Sequence, residues 1–477
     1  MNTDELEHAV FMAERRVLEI QTKLHRWAVD DHHRVFDDLF NLVADPAFLL
    51  MAWDRVRGNK GAKTAGVDGR TAVSIEAGPG VEEFLDKVRA CLKDRSFQPL
   101  PSRERLIPKP GTAKRRRLGI STIRDRVVQA SLKLVLEPIF EADFLPCSYG
   151  FRPNHRVHDA VAEVRHFTSH AYEWIVEGDI RACFDEISHS ALLDRVRDRV
   201  GDKRVLALVK AFLKAGILTE DGLLRDTDTG TPQGSILSPL LSNVALSVLD
   251  EYFAQAPGGP ATPSWVRAKR RRNGLPNHRL VRFADDWTLM VSGTRQDALV
   301  YREQAAQVLA TMGLELSEEK TLITHIDGVD FLGWRIQRHR KRGTHRSYVY
   351  TYPSKKALHA AMVKVKTLCR QIDTNLPLDA LLLRLNSLLR GWTAFFRPGV
   401  SNATFQYLSA YVWRRVIGWI RRKHPRISWK DLRRRYCDGR WWPRGQEVEL
   451  FQAGAVRTTR YRYRGSVIPS PWPPKAA

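Results

Sequence analysis

Residues 280–291 read Leu-Val-Arg-Phe-Ala-Asp-Asp-Trp-Thr-Leu-Met-Val. Two apolar runs flank an adjacent pair of acids, Asp285 and Asp286, which predicts two strands joined by a tight acidic turn. Neighbouring carboxylates repel each other and cannot be buried unpaired, so such a turn adds little to packing. Two interpretations are open at this point. The turn is either an ordinary solvated one, which is the commoner case, or a site for a divalent cation that prefers oxygen ligands.

The composition favours a polyanionic partner. The 477 residues include 77 Lys and Arg and 53 Asp and Glu, a formal charge of +24, and 43% of them are hydrophobic. A globular chain of this length has room for two or three domains with their own cores. The excess of positive charge points to nucleic acid, with an anionic membrane surface as the competing interpretation.

Three patterns bear on localisation. No uninterrupted apolar stretch approaches 20 residues, and the acidic, helix-like N-terminus does not resemble a secretory signal. The five cysteines form no C-x-x-C pair. We therefore expect a protein of the reducing cytoplasm, able to associate with the nucleoid, without a membrane partner or a zinc site.

A second acid is predicted at a strand end. Residues 173–180, Glu-Trp-Ile-Val-Glu-Gly-Asp-Ile, form a buried strand that delivers Asp179 to the edge of a sheet, followed by the backbone carbonyl of Ile180. These oxygens suit a hard cation. Asp185, in the turn that follows, either caps or braces that turn. Farther along, Thr-Pro-Gln-Gly-Ser at 231–235 includes Gln233 and begins a long helix, whose free backbone donors would attract an anion.

Several segments are strongly basic. The glycine-rich stretch 59–69, with Lys60 and Lys63, is predicted as a flexible loop, either a simple connector or a lid on nucleic acid. A basic turn between two short strands carries Lys109 and an arginine run that includes Arg116, and these cations would lie beside phosphates. Residues 254–278, with Arg270 and Arg271, are predicted as an exposed loop that is either solvated or in contact with RNA.

The two ends of the chain are predicted to differ in structure. Residues 1–45 have helical periodicity. From residue 354 the chain becomes a basic helical module in which apolar stripes form a core, and four arginines lie mainly off those stripes and suggest phosphate binding: Arg414, Arg415, Arg421 and Arg422. In the tail, Tyr461 and Tyr463 alternate with arginines, as edge-strand aromatics or as platforms for stacked bases.

Taken in chain order, these motifs resemble those of a reverse transcriptase. The set consists of Asp179-Ile180 with Phe184-Asp185, Pro232-Gln233-Gly234, Phe283-Ala284-Asp285-Asp286 and Phe331-Leu332-Gly333-Trp334. The run Leu389-Arg390-Gly391-Trp392, followed by Phe395-Phe396, resembles the maturase (thumb or X) domain of group II intron-encoded proteins. The resemblance covers about residues 50–440. Phe283 stands where the family commonly has Tyr, and no Cys-rich nuclease module follows, so we expect no endonuclease.

The resemblance implies the fold class, a mixed α/β (α+β) right-hand polymerase with fingers and palm, followed by an α-helical thumb/maturase domain. The expected ranges are 1–55 for a helical extension, 56–350 for fingers and palm, 351–440 for the thumb/maturase domain, and 441–477 for a basic tail that is a remnant of a DNA-binding segment.

The resemblance also implies roles for individual residues. Asp179, Asp285 and the Ile180 carbonyl would hold two Mg²⁺ ions, with Mn²⁺ as an alternative, and Asp286 would support them. The nucleotide-binding residues would be Lys109, Arg116, Phe184 and Gln233, with Phe184 excluding a 2′-hydroxyl. The residues that position the primer would be Phe331, Leu332, Gly333 and Trp334.

The function implied is an RNA-directed DNA polymerase that uses dNTPs, an RNA template with a DNA primer and a DNA target, and that binds group II intron RNA to assist splicing. Two alternatives stay open. One is an intron-independent reverse transcriptase in defence or repair, and the other is an RNA-binding splicing factor without polymerase activity. The sequence does not indicate the oligomeric state.

Overall fold

The computed structural model describes residues 3–108, 115–438, 440–465 and 467–472, and only the backbone of residues 3 and 4. The chain forms two compact units. The first consists of Met1–Arg156, Val176–Leu322 and Ser466–Ala477, and the second of Val157–Ile175 and Ile323–Gly465. Among the helices that the structure describes, none is both long enough and apolar enough to cross a membrane.

Helices make up most of the regular structure. They are α1 (Thr3–Asp30), α2 (Phe40–Val43), α3 (Pro46–Gly58), α4 (Ala72–Ala77), α5 (Val81–Lys93), α6 (Ile123–Glu141), α7 (Val157–Thr168), α8 (Cys183–Glu186), α9 (His189–Arg197), α10 (Lys203–Leu213), α11 (Ser238–Gln255), α12 (Ser264–Arg272), α13 (Arg295–Ala310), α14 (Lys355–Gln371), α15 (Leu378–Phe396), α16 (Asn402–Lys423) and α17 (Trp429–Tyr436). Short 3₁₀ turns cover Lys60–Lys63 and Ala453–Ala455. Several helices begin at a residue whose side chain caps the free backbone amides. At the start of α6, for example, the Thr122 hydroxyl accepts a hydrogen bond from the Asp125 amide.

Within the described residues, the strands form three small sheets. They are β1 (Ser102–Pro108), β2 (Arg115–Ile120), β3 (Trp174–Gly178), β4 (Ile217–Leu218), β5 (Leu224–Arg225), β6 (Asn277–Phe283), β7 (Asp286–Ser292), β8 (Leu322–His325), β9 (Val329–Phe331), β10 (Trp334–Arg340) and β11 (Ser347–Pro353). The strand orders are β2-β1-β4-β5, β6-β7-β3-β8 and β11-β10-β9. In the second sheet β6 and β7 are antiparallel and almost wholly buried, although β6 is the end strand of the order.

The helical module of the second unit has a core built as its periodicity predicts. Leu381, Leu385 and Leu389 of α15 are buried, and they pack with a second stripe on α16 that includes Val412 and Val416. Arginines therefore occupy the outer faces of these helices. The chain thus combines a mixed α/β region with a helical region that follows it.

Three predictions of secondary structure are wrong. The N-terminal helix does not reach residue 45: α1 ends at Asp30, because the Asp31 side chain accepts the His33 amide and turns the chain. Residues 254–278 are not only loop, since they include α12 and the start of β6. The described part of the tail contains no β-strand, so Tyr461 and Tyr463 are not edge-strand aromatics.

The glycine-rich stretch 59–69 is more ordered than predicted. It contains the 3₁₀ turn Lys60–Lys63, and Arg126 donates to the carbonyls of Gly61 at 2.8 Å and Thr64 at 2.9 Å. Lys60 and Lys63 are exposed on this turn. The two lysines are therefore displayed from a tethered segment rather than from a free loop.

Candidate active site

A two-residue turn, which we call the acid turn, joins β6 to β7. The last pair of the β6–β7 ladder is Phe283 with Asp286, so only Ala284 and Asp285 form the turn. Ala284 is buried and has a φ of 59°, a conformation uncommon for residues other than glycine. Asp285 is half-buried at the tip, whereas Asp286 is the exposed first residue of β7. The two acids therefore differ in environment, as the assignment of different roles to them requires.

Gly150 lies directly behind this turn. A Cβ atom at Gly150 would lie 2.2 Å from the Ala284 nitrogen, so a larger residue cannot be accommodated without moving the turn. The chain around Gly150 also bonds to β6, because the Tyr149 amide donates to the Arg282 carbonyl at 2.8 Å. Backbone from a distant segment of the chain thus holds Ala284 in its strained conformation.

Asp179 lies at the end of the neighbouring strand. β3 is adjacent to β7 in the sheet and ends at Gly178, where a Cβ atom would lie 2.0 Å from the Trp287 ring. This close approach requires glycine and brings the end of β3 next to the start of β7. Asp179, which follows Gly178, and Asp285, which precedes β7, therefore occupy adjacent strand ends.

The direction of the Ile180 carbonyl follows from the backbone hydrogen bonds on either side of it. Ile180 forms an antiparallel bridge with Leu316, in which the Ser317 amide donates to the Asp179 carbonyl and the Arg181 amide donates to the Glu315 carbonyl. Successive carbonyls of an extended chain point in opposite directions. The Ile180 carbonyl is therefore directed away from Leu316.

Lys320 forms an ion pair with Asp179. Its Nζ atom lies 2.6 Å from Asp179 Oδ2, and the adjacent Thr321 hydroxyl accepts the Asp179 amide at 3.4 Å. Sequence reasoning did not identify Lys320. Its only signal was a position after the short strand-and-turn pattern Leu-Glu-Leu-Ser-Glu-Glu at 314–319.

The donor atoms fit a hard divalent cation. The described residues contain no group of three or more His, Cys, Asp or Glu side chains arranged for metal binding. The protein would instead supply two carboxylates, from Asp179 and Asp285, and the Ile180 carbonyl. Mg²⁺ is commonly bound by one or two carboxylates, with substrate phosphates and water completing its shell. An incomplete protein shell of oxygen donors is therefore consistent with Mg²⁺ or Mn²⁺.

A buried arginine, Arg282, forms a hydrogen bond to the acid turn. Arg282 and Asp250 form an ion pair in which both side chains are fully buried, and Nε of Arg282 donates to Asp250 Oδ1 at 2.8 Å. The same guanidinium donates to Asn243 Oδ1 at 2.9 Å, to Ser148 Oγ at 2.8 Å and to the Ala284 carbonyl at 3.1 Å. Burial lowers the pKa of Arg282, but the charge and hydrogen bonds of Asp250 outweigh this effect and raise it.

The sequence did not predict this group of interacting side chains, which we call the Arg282 cluster. It consists of Arg282, Asp250, Asn243 and Ser148. One signal was present: an arginine within an apolar strand is almost never buried unless it is paired. The cluster also extends to Gly150, whose carbonyl accepts the Asn243 amide at 2.8 Å. One polar network therefore holds both the acid turn and the segment that packs behind it.

A cavity of about 220 Å³ lies beside the α8 turn, lined by Phe184, Asp185 and Gln233 among others. The Gln233 amide donates to Asp185 Oδ2 at 3.4 Å. Burial and then the charge of Asp285 raise the pKa of Cys183, the first residue of α8, to about 12. The predicted nucleotide pocket thus includes two residues of the short helix α8, which follows Asp179 in the chain.

The arginine that lines this cavity is not the one that was predicted. Arg117 lines it and Arg116 does not. Partial burial raises the pKa of Asp185 and the charge of Arg117 lowers it, which indicates that these two charges interact. Neighbouring residues of a strand face opposite sides, so only alternate arginines of β2 can face the cavity. Lys109 lies outside the described residues.

The predicted primer-positioning segment is a tight turn whose two flanking residues are buried. β9 ends at Phe331 and β10 begins at Trp334, with Leu332 at φ 50° and Gly333 at φ 81° between them. Trp334 is 1% exposed, and its ring centroid lies 4.9 Å from that of Phe396. Phe331 is also buried. The buried side chains of Phe331 and Trp334 therefore fix the turn, and Leu332 and Gly333 are its partly exposed residues. The primer-positioning role of these four residues stays a prediction.

The predicted RNA-binding arginines differ in what their side chains contact. Arg271 and Arg414 are exposed. Arg270 donates to the Pro276 carbonyl at 2.9 Å, and Arg422 donates to the Cys369 carbonyl. The remaining two cover aromatic rings: the Arg415 guanidinium carbon lies 5.0 Å from the Tyr411 centroid, and that of Arg421 lies 4.7 Å from the Trp429 centroid.

The tail tyrosines are packed against α7. Tyr463 stacks on His166 with centroids 4.4 Å apart, and the Tyr461 hydroxyl donates to Asp159 Oδ1 at 2.8 Å. Arg464 binds both oxygens of the buried Asp159, at 2.8 and 2.6 Å. These rings therefore serve protein packing, which argues against base stacking by them.

Comparison with known proteins finds two family matches. Residues 107–336 match the family described as reverse transcriptase (RNA-dependent DNA polymerase). Residues 358–437 match the group II intron maturase-specific domain. These two ranges cover, respectively, the segments that contain the acid turn and the helical module.

Individual relatives agree with these matches. The chain is 36% identical over 364 residues to Protein YkfC of Escherichia coli, covering 94% of that protein. It is 32% identical over 390 residues to the group II intron-encoded protein LtrA of Lactococcus lactis, covering 62% of it. It is also 32% identical over 336 residues to an uncharacterized 91 kDa protein in the cob intron of Schizosaccharomyces pombe, covering 40% of it.

Proposed function

Because this chain belongs to the family of group II intron reverse transcriptases and maturases, we propose that it copies intron RNA into DNA at a DNA target and binds that RNA to assist splicing. Its reverse transcriptase domain is an RNA-dependent DNA polymerase domain. The observation that carries the proposal is the pair of adjacent strand ends bearing Asp179 and Asp285 in a chain that also has a maturase-specific helical domain. We retain the ranges 56–350 and 351–440 for these two functions.

In this proposal the acids bind the metal and the cavity selects the nucleotide. Asp179, Asp285 and the Ile180 carbonyl would hold two Mg²⁺ ions, and Asp286 would add negative charge beside them. When bound, such ions stabilise the attacking and leaving oxygens of an in-line phosphoryl displacement. The side chains of Phe184 and Gln233 line the nucleotide cavity, and Phe184 limits the room for a 2′-hydroxyl. Arg117 takes the phosphate-binding role expected of Arg116, because it faces the cavity.

Splicing assistance in this proposal uses cations away from the acids. Exposed Lys60, Lys63, Arg271 and Arg414 bind phosphates of the intron RNA. Each phosphate contact releases counterions, so affinity should fall steeply between 50 and 200 mM salt. Polymerisation and RNA binding are therefore separable by mutation.

The test compares Asp285→Asn with Asp221→Asn, an exposed acid in the β4–β5 turn. We expect Asp285→Asn to abolish Mg²⁺-dependent primer extension on an RNA template, because a neutral amide does not replace a metal-binding carboxylate. Asp221→Asn should extend primers at the wild-type rate. Both variants should bind intron RNA with wild-type affinity. Normal extension by Asp285→Asn would contradict the catalytic assignment, and equal loss of RNA affinity would contradict the separation of the two activities.

A further inference from the structure

Two exposed tryptophans lie side by side on the surface of the helical module. Trp429 is 43% exposed and Trp441 is 53% exposed, and their ring centroids are 6.0 Å apart at 60°. Each ring is covered by one arginine: Arg421 lies 4.7 Å from the Trp429 centroid, and Arg433 lies 5.2 Å from the Trp441 centroid. We call these four residues the Trp–Arg stack. Large exposed aromatics that adjoin each other are unusual on a soluble surface and mark interaction sites.

The Trp–Arg stack is held rigidly from beneath. Leu432 of α17 is fully buried in the helical core, which orients the exposed face of that helix. The Trp413 indole donates to the Trp441 carbonyl at 2.6 Å and fixes the backbone of the second ring. Rigid aromatic side chains lose little conformational entropy on binding, so this arrangement is preorganised for a flat ligand.

An open cleft of about 680 Å³ adjoins the stack. Trp441 lines it together with Trp413 and Arg414, and the exposed residues Gln406 and Gln452 also line it. Amide groups can donate and accept hydrogen bonds, as the edges of nucleobases require. The cleft therefore offers an aromatic face, a cation and adaptable polar groups in one place.

The surrounding charge is strongly positive. α17 has the sequence Trp-Lys-Asp-Leu-Arg-Arg-Arg-Tyr, with four cations and one acid, and α16 ends in Arg-Arg-Lys. A partner with flat apolar faces and negative charge fits this combination. Bases within a duplex are stacked on each other and present no free faces, whereas unpaired bases stack on aromatic and arginine side chains.

We propose that the Trp–Arg stack and its cleft bind unpaired nucleotides of a single-stranded RNA segment. This inference rests on the proposed binding of intron RNA and adds the kind of RNA structure recognised at this surface. The two indoles meet edge to face, and a base stacks on an exposed face of the pair, where the arginine over the ring adds a cation–π contact. The backbone phosphates contact the neighbouring cations of α16 and α17.

The experiment measures binding of the full chain to a labelled unstructured RNA and to a fully paired RNA duplex of the same sequence. The variants are Trp441→Ala, Trp429→Ala and the conservative Trp441→Phe. Phe11→Ala is the control, because Phe11 is 55% exposed but lies between acidic residues of α1. Circular dichroism of each variant establishes that the helices persist.

Each alanine variant should bind the single strand about 5- to 150-fold more weakly, which corresponds to the roughly 1–3 kcal/mol of one stacked base. Trp441→Phe should retain most of the affinity, and Phe11→Ala all of it. Duplex affinity and the slope of affinity against salt should not change, since a ring neutralises no phosphate. Quenching of tryptophan fluorescence by the single strand should be smaller in the alanine variants.

Two results would overturn the inference. One is unchanged single-strand affinity in both alanine variants, and the other is an equal loss of duplex affinity, which would indicate general contact rather than stacking. If the wild type itself binds neither RNA, the proposed maturase function fails instead. Primer extension on a preannealed substrate should be normal in every variant, which keeps the two tests distinct.

Discussion

The Arg282 cluster provides the sharpest test of how the acid turn is held. In Asp250→Asn, the carboxylate that accepts Nε of Arg282 at 2.8 Å becomes a neutral amide of similar shape. Both side chains are fully buried, so the guanidinium loses its counter-charge without gaining contact with water. Removing one partner of a buried ion pair costs roughly 3–5 kcal/mol.

Hydrogen exchange of the β6 and β7 amides measures this cost locally. The chain forms two compact units, so a single free energy of unfolding does not describe it. A cost of 3–5 kcal/mol should accelerate exchange by about 100- to 4,000-fold, at tenfold per 1.4 kcal/mol. Glu251→Gln is the matched control, since Glu251 is the next residue of α11 but its side chain is 47% exposed in its pair with Arg195. Such a surface pair contributes about 0–1 kcal/mol.

Primer extension separates positioning from stability. The Arg282 guanidinium also donates to the Ala284 carbonyl at 3.1 Å, within the turn that carries Asp285. A misplacement near 1 Å at a reaction centre costs on the order of 100-fold in rate. We therefore expect kcat of Asp250→Asn to fall by that order under conditions where the protein stays folded, with little change in the KM for primer-template.

A double variant isolates the contribution of the Ala284 hydrogen bond. Arg282→Met with Asp250→Leu replaces the ion pair by apolar side chains, which often leaves stability unchanged or improved. Amide protection should then recover while primer extension stays low, because Ala284 has lost its donor. Equal exchange in Asp250→Asn and Glu251→Gln would refute the energetic argument. Full activity in a destabilised Asp250→Asn would refute the positioning role.

Three further predictions concern the nucleotide cavity, pH and metal. Phe184→Ala should raise ribonucleotide relative to deoxynucleotide incorporation by roughly 10- to 200-fold in a competition assay, because a steric contact is removed from the cavity. Burial lowers the pKa of His278 to about 4, below the roughly 6.5 of an unfolded chain, so stability should be full above pH 6.5 and decline by about 3 kcal/mol as the pH falls to 4. Exchange of β6 amides should follow this decline, and His278→Gln should remove it; the same slope in both proteins would contradict the assignment. Chelation by EDTA should abolish primer extension but leave RNA affinity within about twofold, since Lys and Arg supply the phosphate contacts.

Patterns that depend on neighbouring residues were predictable from the sequence. The apolar stripes of α15 and α16 form the core of the helical module as their periodicity predicts, and the strands on either side of Asp285 follow from two short apolar runs. Both patterns arise from the burial of one face or of a whole strand. In contrast, Asp250 lies 32 residues from Arg282, and nothing local to the strand identifies it as the partner.

The arginine run of β2 illustrates a second limit. Its three arginines at 115–117 are equivalent by composition, but successive side chains of a strand face opposite sides. The pairing of Arg117 with Leu106 and of Arg116 with Ile107 determines which one faces the nucleotide cavity. A shift of one residue in that register would exchange their roles, so the choice depends on the partner strand.

Net charge is a third case, since it identifies the class of partner better than the contact residues. A guanidinium has five donors, and carbonyl oxygens satisfy them as well as phosphates do. Arg422 donates to the Cys369 carbonyl and Arg126 to those of Gly61 and Thr64, so these cations serve the fold. Arg421 instead lies over the exposed Trp429 ring. The contacts of the arginines, rather than their number, therefore distinguish the Trp–Arg stack from the rest of the basic surface.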